Sequence, residues 1–214
     1  MAPRVIFGKR GLLPSPREQP QIDSTIPSPQ PYKDDASPLA LRDRSAGRTH
    51  YFTQETNPSS LGFLEREIDE SVESGAGEIT IIITSPGGLL LPMLEFYRRL
   101  ISLPVKTKTH AVGPVASAGA VLMLAGTERS ANPHATFLFH PVSNHMQQRA
   151  TPFQARSIER RRQLFELTLH EIYKARTQLP LETIARFGQE TLVFNAQTAA
   201  RYGIIDRIET LRLS

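Results

Sequence analysis

The sequence predicts an α/β fold, a parallel sheet with helices on its faces. Strand and helix patterns alternate through the middle of the 214-residue chain in the order α-β-α-β-α-β. The run EITIIIT (Glu78 to Thr84) is rich in β-branched residues without alternating polarity, which suits a strand covered on both faces. Just before it, Leu61, Leu64, Ile68 and Val72 recur at helical spacing and define one apolar face.

Residues 1 to about 47 carry eight prolines (Pro3, Pro14, Pro16, Pro20, Pro27, Pro29, Pro31, Pro38) and no sustained period, so they read as an extended or disordered arm. The folded domain is expected over 48–214, opening with a short strand at Thr49 to Thr53. The first helix has Ser59 or Ser60 as its cap and Gly75 as its stop. After the Glu78–Thr84 strand, SPGG makes a tight turn, and LLPMLEFYRRLIS reads as a helix with Pro92 in its first turn. PVKTKTHAV (Pro104 to Val112) alternates like a strand, SAGAVLMLAG is a short apolar helix closed by Gly126, and ATFLFH (Ala135 to His140) is another strand.

Thr151-Pro152-Phe153-Gln154 is a strong helix start: a hydroxyl cap, proline at the first helical position, glutamine at the third. Ile158, Phe165, Leu169 and Ile172 then share a face up to about Arg176. Such a length exceeds the usual globular helix, and the segment is expected to project toward another subunit. A short helix (LETIARFG), a further one from the cap Asn195 to Gly203, and a closing strand in IIDRI complete the domain.

Composition narrows the function. There is no cysteine, which removes disulfides and thiolate metal sites. His134, His140 and His145 are spaced for no single helix face, so no metal site is expected. No apolar run approaches the roughly 18 residues of a membrane span, and the first residues lack the apolar core of a secretory signal. A soluble cytoplasmic protein is the expectation. The net charge is only +4, and the basic cluster ERRRQ (Glu159 to Gln163) reads as a solvated helix face rather than a nucleic-acid footprint. Without tryptophan, and with 7% aromatic residues, stacking platforms for single strands are not expected.

In a doubly wound sheet, ligands sit at the C-terminal ends of the strands. SPGG, GPVASAG and His140 each follow a strand. Ser117 opens a helix, where backbone N–H groups are unpaired and the dipole is positive; the N–H of Ala118 is placed to receive a developing oxyanion. Gly88 lacks a Cβ and lets backbone approach a substrate, and two such donors make an oxyanion hole. An imidazole such as His140 serves as a general base near neutral pH. Singly, a helix-opening serine is a cap, a strand-end histidine is structural and GG is a turn. Together, at the strand ends of one sheet, they read as a nucleophile site.

The same segments resemble the ClpP family, the proteolytic subunits of Clp proteases. ITIIITSPGG is similar to the family's strand ending in NSPGG, and GPVASAGAVLMLAG to its GxAASMGAxLLxAG nucleophile segment. NPHATFLFHP is similar to its PNxxxMxHQP histidine segment, and NAQTAARYGIID to its SAxEAxxYGLxD segment. The likeness runs from about Thr49 to Ile208 in the family's order. It implies a ClpP/crotonase-like spiral of parallel βαβ units with a protruding handle helix at about 152–176. It implies a serine endopeptidase without cofactor, with Ser117 as nucleophile, His140 as general base, and the N–H groups of Gly88 and Ala118 as oxyanion hole. It further implies a self-assembling ring, heptameric or doubled, that encloses the sites and hydrolyses unfolded polypeptides delivered by an AAA+ unfoldase.

Three departures from the family pattern matter. The catalytic aspartate's place falls on Thr191, with Glu190 beside it; a hydroxyl cannot supply the negative charge that stabilises an imidazolium. Glu190 serves as third member if the loop shifts by one residue. VSNHMQQRA replaces the glycine-rich stretch after the histidine, which bears on a stacked double ring, and the proline-rich arm replaces a short axial loop, which bears on unfoldase docking. The alternative expectation is therefore a catalytically weakened or inactive ring subunit with a structural or regulatory role. A crotonase-type acyl-CoA enzyme shares the fold, but the Ser117/His140 pair argues against it.

Overall fold

The computed structural model describes residues 47–143 and 151–211. The proline-rich arm and most of VSNHMQQRA, His145 included, lie outside the described residues.

Strand β1 (Arg48–Phe52) leads into helix α1 (Pro58–Glu73), strand β2 (Glu78–Ser85), helix α2 (Leu90–Ile101) and strand β3 (Lys106–Ala116). Helix α3 (Ala118–Ala125), strands β4 (Glu128–Ala131) and β5 (Thr136–Phe139), and helix α4 (Pro152–Arg176) follow. Helix α5 (Leu181–Arg186), strand β6 (Leu192–Asn195), helix α6 (Ala196–Arg201) and strand β7 (Arg207–Ile208) close the chain. The sheet order is β1-β2-β3-β4-β7, all parallel, as the alternation of elements requires. β5 pairs with the far end of β3 in parallel, and β6 adds to β5 antiparallel.

The local sequence explains these elements with a few corrections. Asn57, not Ser59 or Ser60, caps α1: its side chain accepts from the N–H groups of Ser59 and Ser60, while the Ser60 hydroxyl accepts from the Asn57 N–H. Gly75 at φ 89° ends that helix, with Gly75 N–H on the Val72 carbonyl and Ala76 N–H on the Ser71 carbonyl. Helix α4 starts at the capping box of Thr151 and Gln154 that its sequence predicts. β3 is longer than the alternation suggests. Its register against β2 shifts between Ile83 and Ser85, and its last residues pair Pro114–Ala116 with β5 (Thr136–Leu138). The strand thus passes from one partner to another through GPVA.

Ile79, Ile81 and Ile83 are fully buried beneath the helices, each contributing about 1.5–3 kcal/mol relative to exposure. The opposite face of β2 is not covered by a helix throughout, contrary to the two-sided expectation. There Glu78, Lys106, Lys108 and Glu128 form a lattice of ion pairs across three strands, with Lys108 Nζ 2.7 Å from Glu78 Oε1. Toward its other end, His110 Nδ1 lies 2.8 Å from the Ser130 hydroxyl and Nε2 3.0 Å from Asn132 Oδ1. Burial pushes the His110 imidazole toward its neutral form.

Candidate active site

Ser117 sits between β3 and α3 at φ 54°, the one non-glycine residue with positive φ among the described residues. Such a conformation costs about 1–3 kcal/mol and persists where the surroundings impose it. Three contacts impose it here. The Ser117 N–H donates to the Leu138 carbonyl at 2.8 Å, its carbonyl accepts from the Ala120 N–H at 3.0 Å, and Gly87 presses against it from the SPGG turn. A Cβ on Gly87 would lie 2.6 Å from the Ser117 Cβ and 2.7 Å from the Ala116 carbonyl oxygen. The Ser117 side chain makes no capping hydrogen bond to α3. The bland reading of this serine as a helix cap does not hold.

The bond to Leu138 ties the serine backbone to β5, the strand that delivers His140 two residues later. The register of β3 on β5 (Ala116 beside Leu138) thus brings two sequence-distant residues to one end of the sheet. Ser117, Ala118, Gly88 and His140 all line one cavity of about 540 Å³, within the size range of sites for small molecules or short peptide segments.

The donors follow from local structure. Thr56 forms a parallel bridge with Gly88, using the Gly87 carbonyl (2.7 Å from Thr56 N) and the Leu89 N–H (2.7 Å to Thr56 O). In such a bridge the N–H of the central residue points away from its partner, which directs the Gly88 N–H to the other side. A Cβ at Gly88 would meet the Thr56 carbonyl oxygen at 2.5 Å. Glycine is therefore required here by the neighbouring chain as well as by its φ of 141°. Ala118 is the first residue of α3, where the N–H has no partner within the helix.

His140 Nδ1 lies 2.7 Å from the Pro141 carbonyl oxygen. A carbonyl only accepts, so Nδ1 donates here, and in the neutral imidazole this tautomer leaves the Nε2 lone pair free. Among the described residues, no carboxylate takes this place. Glu190 is exposed and binds Arg186, Nε to Oε1 at 2.6 Å, a hydrogen bond that holds its carboxyl below the usual range. Neither Glu190 nor Thr191 lines the cavity. β5 pairs with β6 so that Phe139 stands opposite Leu192, and the next step of that register falls on His140 and Thr191.

The structure also adds residues that the sequence reading assigned elsewhere. Phe165, Leu169 and Tyr173 of α4 line the cavity together with Leu89, Leu90 and Val121. The apolar spacing of Phe165 and Leu169 is legible in the sequence; that their face closes a site, rather than only a core, is not, and Tyr173 is not among the residues that the sequence reading places on that face. Tyr173 is buried, and burial pushes its phenol up so that it stays neutral.

The Clp protease family model matches residues 61–212, which include Gly88, Ser117, Ala118, His140 and α4. The chain belongs to the Clp protease family. Among its relatives within the family, the ATP-dependent Clp protease proteolytic subunit 2 of Corynebacterium jeikeium is 34% identical over 137 residues, covering 61% of this chain and 63% of that protein. The chain thus aligns with a little under two thirds of that relative. The ATP-dependent Clp protease proteolytic subunit of Dehalococcoides mccartyi is 32% identical over 154 residues (70% of this chain, 72% of that protein). Subunit 1 of Corynebacterium efficiens is 32% identical over 183 residues (74% of this chain, 86% of that protein). As a member of the Clp protease family, the chain has the ClpP-type α/β fold. No helix among its described residues is long and apolar enough to cross a membrane.

Proposed function

We propose that this chain is the proteolytic subunit of a Clp-type serine peptidase, with Ser117 as nucleophile and His140 as general base. The observation that carries the reading is the convergence of Ser117, His140, Gly88 and Ala118 on one cavity. Ser117 Oγ attacks the scissile carbonyl while His140 Nε2 takes its proton. The N–H groups of Gly88 and Ala118 bind the oxyanion. The imidazolium then protonates the leaving amine, leaving an acyl-enzyme that water hydrolyses by the same steps. The Pro141 carbonyl fixes the tautomer and supports the imidazolium as a dipole, where a carboxylate would do so as a full charge. Thr191 occupies the register position beside His140 without supplying that charge.

In the same reading, residues 48–214 form the peptidase domain and residues 1–47 a proline-rich arm. Copies of the chain assemble into a ring, α4 serves as the interlocking handle, and an AAA+ unfoldase delivers unfolded polypeptides in the cytoplasm. Relatives named as ATP-dependent Clp protease proteolytic subunits support the coupling of proteolysis to ATP in this reading.

Steady-state cleavage of an unfolded protein tests the Ser–His–carbonyl arrangement. Glu190→Ala is expected to change kcat by less than about twofold, since the side chain serves Arg186, while Thr191→Asp is expected to raise it by about tenfold or more by adding a charge beside the imidazole. A loss of orders of magnitude in Glu190→Ala would instead make Glu190 the third member of a triad.

A further inference from the structure

Helix α4 turns two adjacent arginines toward the cavity that holds Ser117 and His140. They are electrostatically unlike. Arg162 has Glu159 three residues before it and Glu166 four residues after it, and its guanidinium binds both, with Nη2 2.7 Å from Glu159 Oε1. Those carboxylates raise its pKa and cancel its charge. Arg161 has Ser157, Ile158, Leu164 and Phe165 at the corresponding helical positions, none of them acidic. Among the described residues no carboxylate lies within ion-pair distance of it. The chain between His140 and α4 (PVSNHMQQRAT) contains no acidic residue either.

The remaining wall is mostly apolar, built from Leu89, Leu90, Val121, Phe139, Phe165 and Leu169 among others. Arg161 is exposed at the edge of this wall, where its positive charge attracts an incoming anion. Its planar fork of donors fits a carboxylate.

We propose that Arg161 is a specificity-determining residue that binds a carboxylate of the peptide substrate while the apolar wall takes a neighbouring hydrophobic side chain. This rests on the peptidase reading above. The carboxylate comes from an acidic side chain near the scissile bond or from the peptide's own C-terminus; the two share one chemistry and are separable by experiment.

The test uses internally quenched peptides in which one aspartate is moved through each position around an apolar residue, each paired with its asparagine counterpart. A second set compares free with amidated C-termini. The full-length protein is expected to cleave at least one aspartate peptide, or the free-carboxylate peptides, with kcat/KM about tenfold above the neutral counterpart, a preference lying mainly in KM. Arg161→Gln brings that ratio to about one, and Arg161→Glu inverts it in favour of the neutral counterparts. Equal kcat/KM across all pairs in the wild type, or an unchanged ratio in Arg161→Gln, overturns the role of Arg161 while leaving the peptidase intact. Cleavage of none of the peptides overturns the peptidase reading and this inference with it.

Discussion

Replacing Ser117 by alanine is expected to lower peptide turnover by about 10⁴-fold or more while leaving the fold as stable as the parent. The two halves of this result separate the competing roles of the serine. A capping serine contributes about 1 kcal/mol, so its loss would lower the melting temperature with little reason to affect chemistry. The Ser117 hydroxyl makes no capping bond, and its backbone is held by Leu138, Ala120 and the approach of Gly87. Alanine keeps those backbone contacts and loses only the hydroxyl. Turnover by rapid-quench or fluorogenic assay, with thermal unfolding of the same preparation, reads both halves.

Gly87→Ala is the substitution expected to damage the site without removing any of its functional groups. The new Cβ would stand 2.6 Å from the Ser117 Cβ, 2.7 Å from the Ala116 carbonyl oxygen and 3.1 Å from the Ala118 nitrogen, and the residue would hold φ 92°. Two of those atoms are backbone and cannot swing aside. Overpacking and backbone strain together cost about 2–4 kcal/mol, which for a domain of this size lowers Tm by roughly 5–15 °C. Relief requires Ser117 and the Ala118 N–H to move apart from the SPGG turn. Displacement of a reacting group by about 1 Å costs on the order of 100-fold in kcat. Gly62→Ala provides the control. A Cβ there meets nothing within 4 Å on α1, and alanine in a helix is favoured by about 0.5–1 kcal/mol. Differential scanning calorimetry and kcat on the two variants should therefore move in opposite directions for stability, and only Gly87→Ala should lose activity. Equal behaviour of the two would remove Gly87 from the support of the nucleophile.

Much of this arrangement is legible in the chain because its signals are local. The bounds of α4 follow from Thr151, Pro152 and Gln154, whose capping chemistry needs no tertiary partner. β2 follows from a run of isoleucines, and the positions of Ser117 and His140 follow from strand ends in a parallel sheet. What escaped reading depends on contacts between distant segments. β4 is only ERSA, too short and polar to announce itself. It exists because Lys108–Ala111 of β3 offer an edge on one side and β7 pairs on the other. β6 is hidden between α5 and α6, where Asn195 ends the strand and also caps α6 through the Thr198 N–H. GPVA read as a loop because glycine and proline usually break strands, yet β3 carries them through the point where it changes partner from β2 to β5.

At the site, the pairing of Ser117 with His140 was readable as a likelihood of strand ends meeting. The group that orients the imidazole was not, since the Pro141 carbonyl belongs to the backbone and leaves no signature in residue type. The inner face of α4 was equally unreadable as a cavity wall. Its apolar spacing is what any packed helix displays, and only the folded chain brings Phe165 and Leu169 into one cavity with Leu90.

The central claim is that Ser117 is an activated nucleophile, and covalent labelling tests it most directly. Wild-type protein treated with a fluorophosphonate, then digested and mapped by mass spectrometry, is expected to carry one adduct, on the peptide containing Ser117. The adduct should be absent in Ser117→Ala and strongly slowed in His140→Ala. Absence of an adduct in the assembled wild type, or its persistence in Ser117→Ala, would contradict the account.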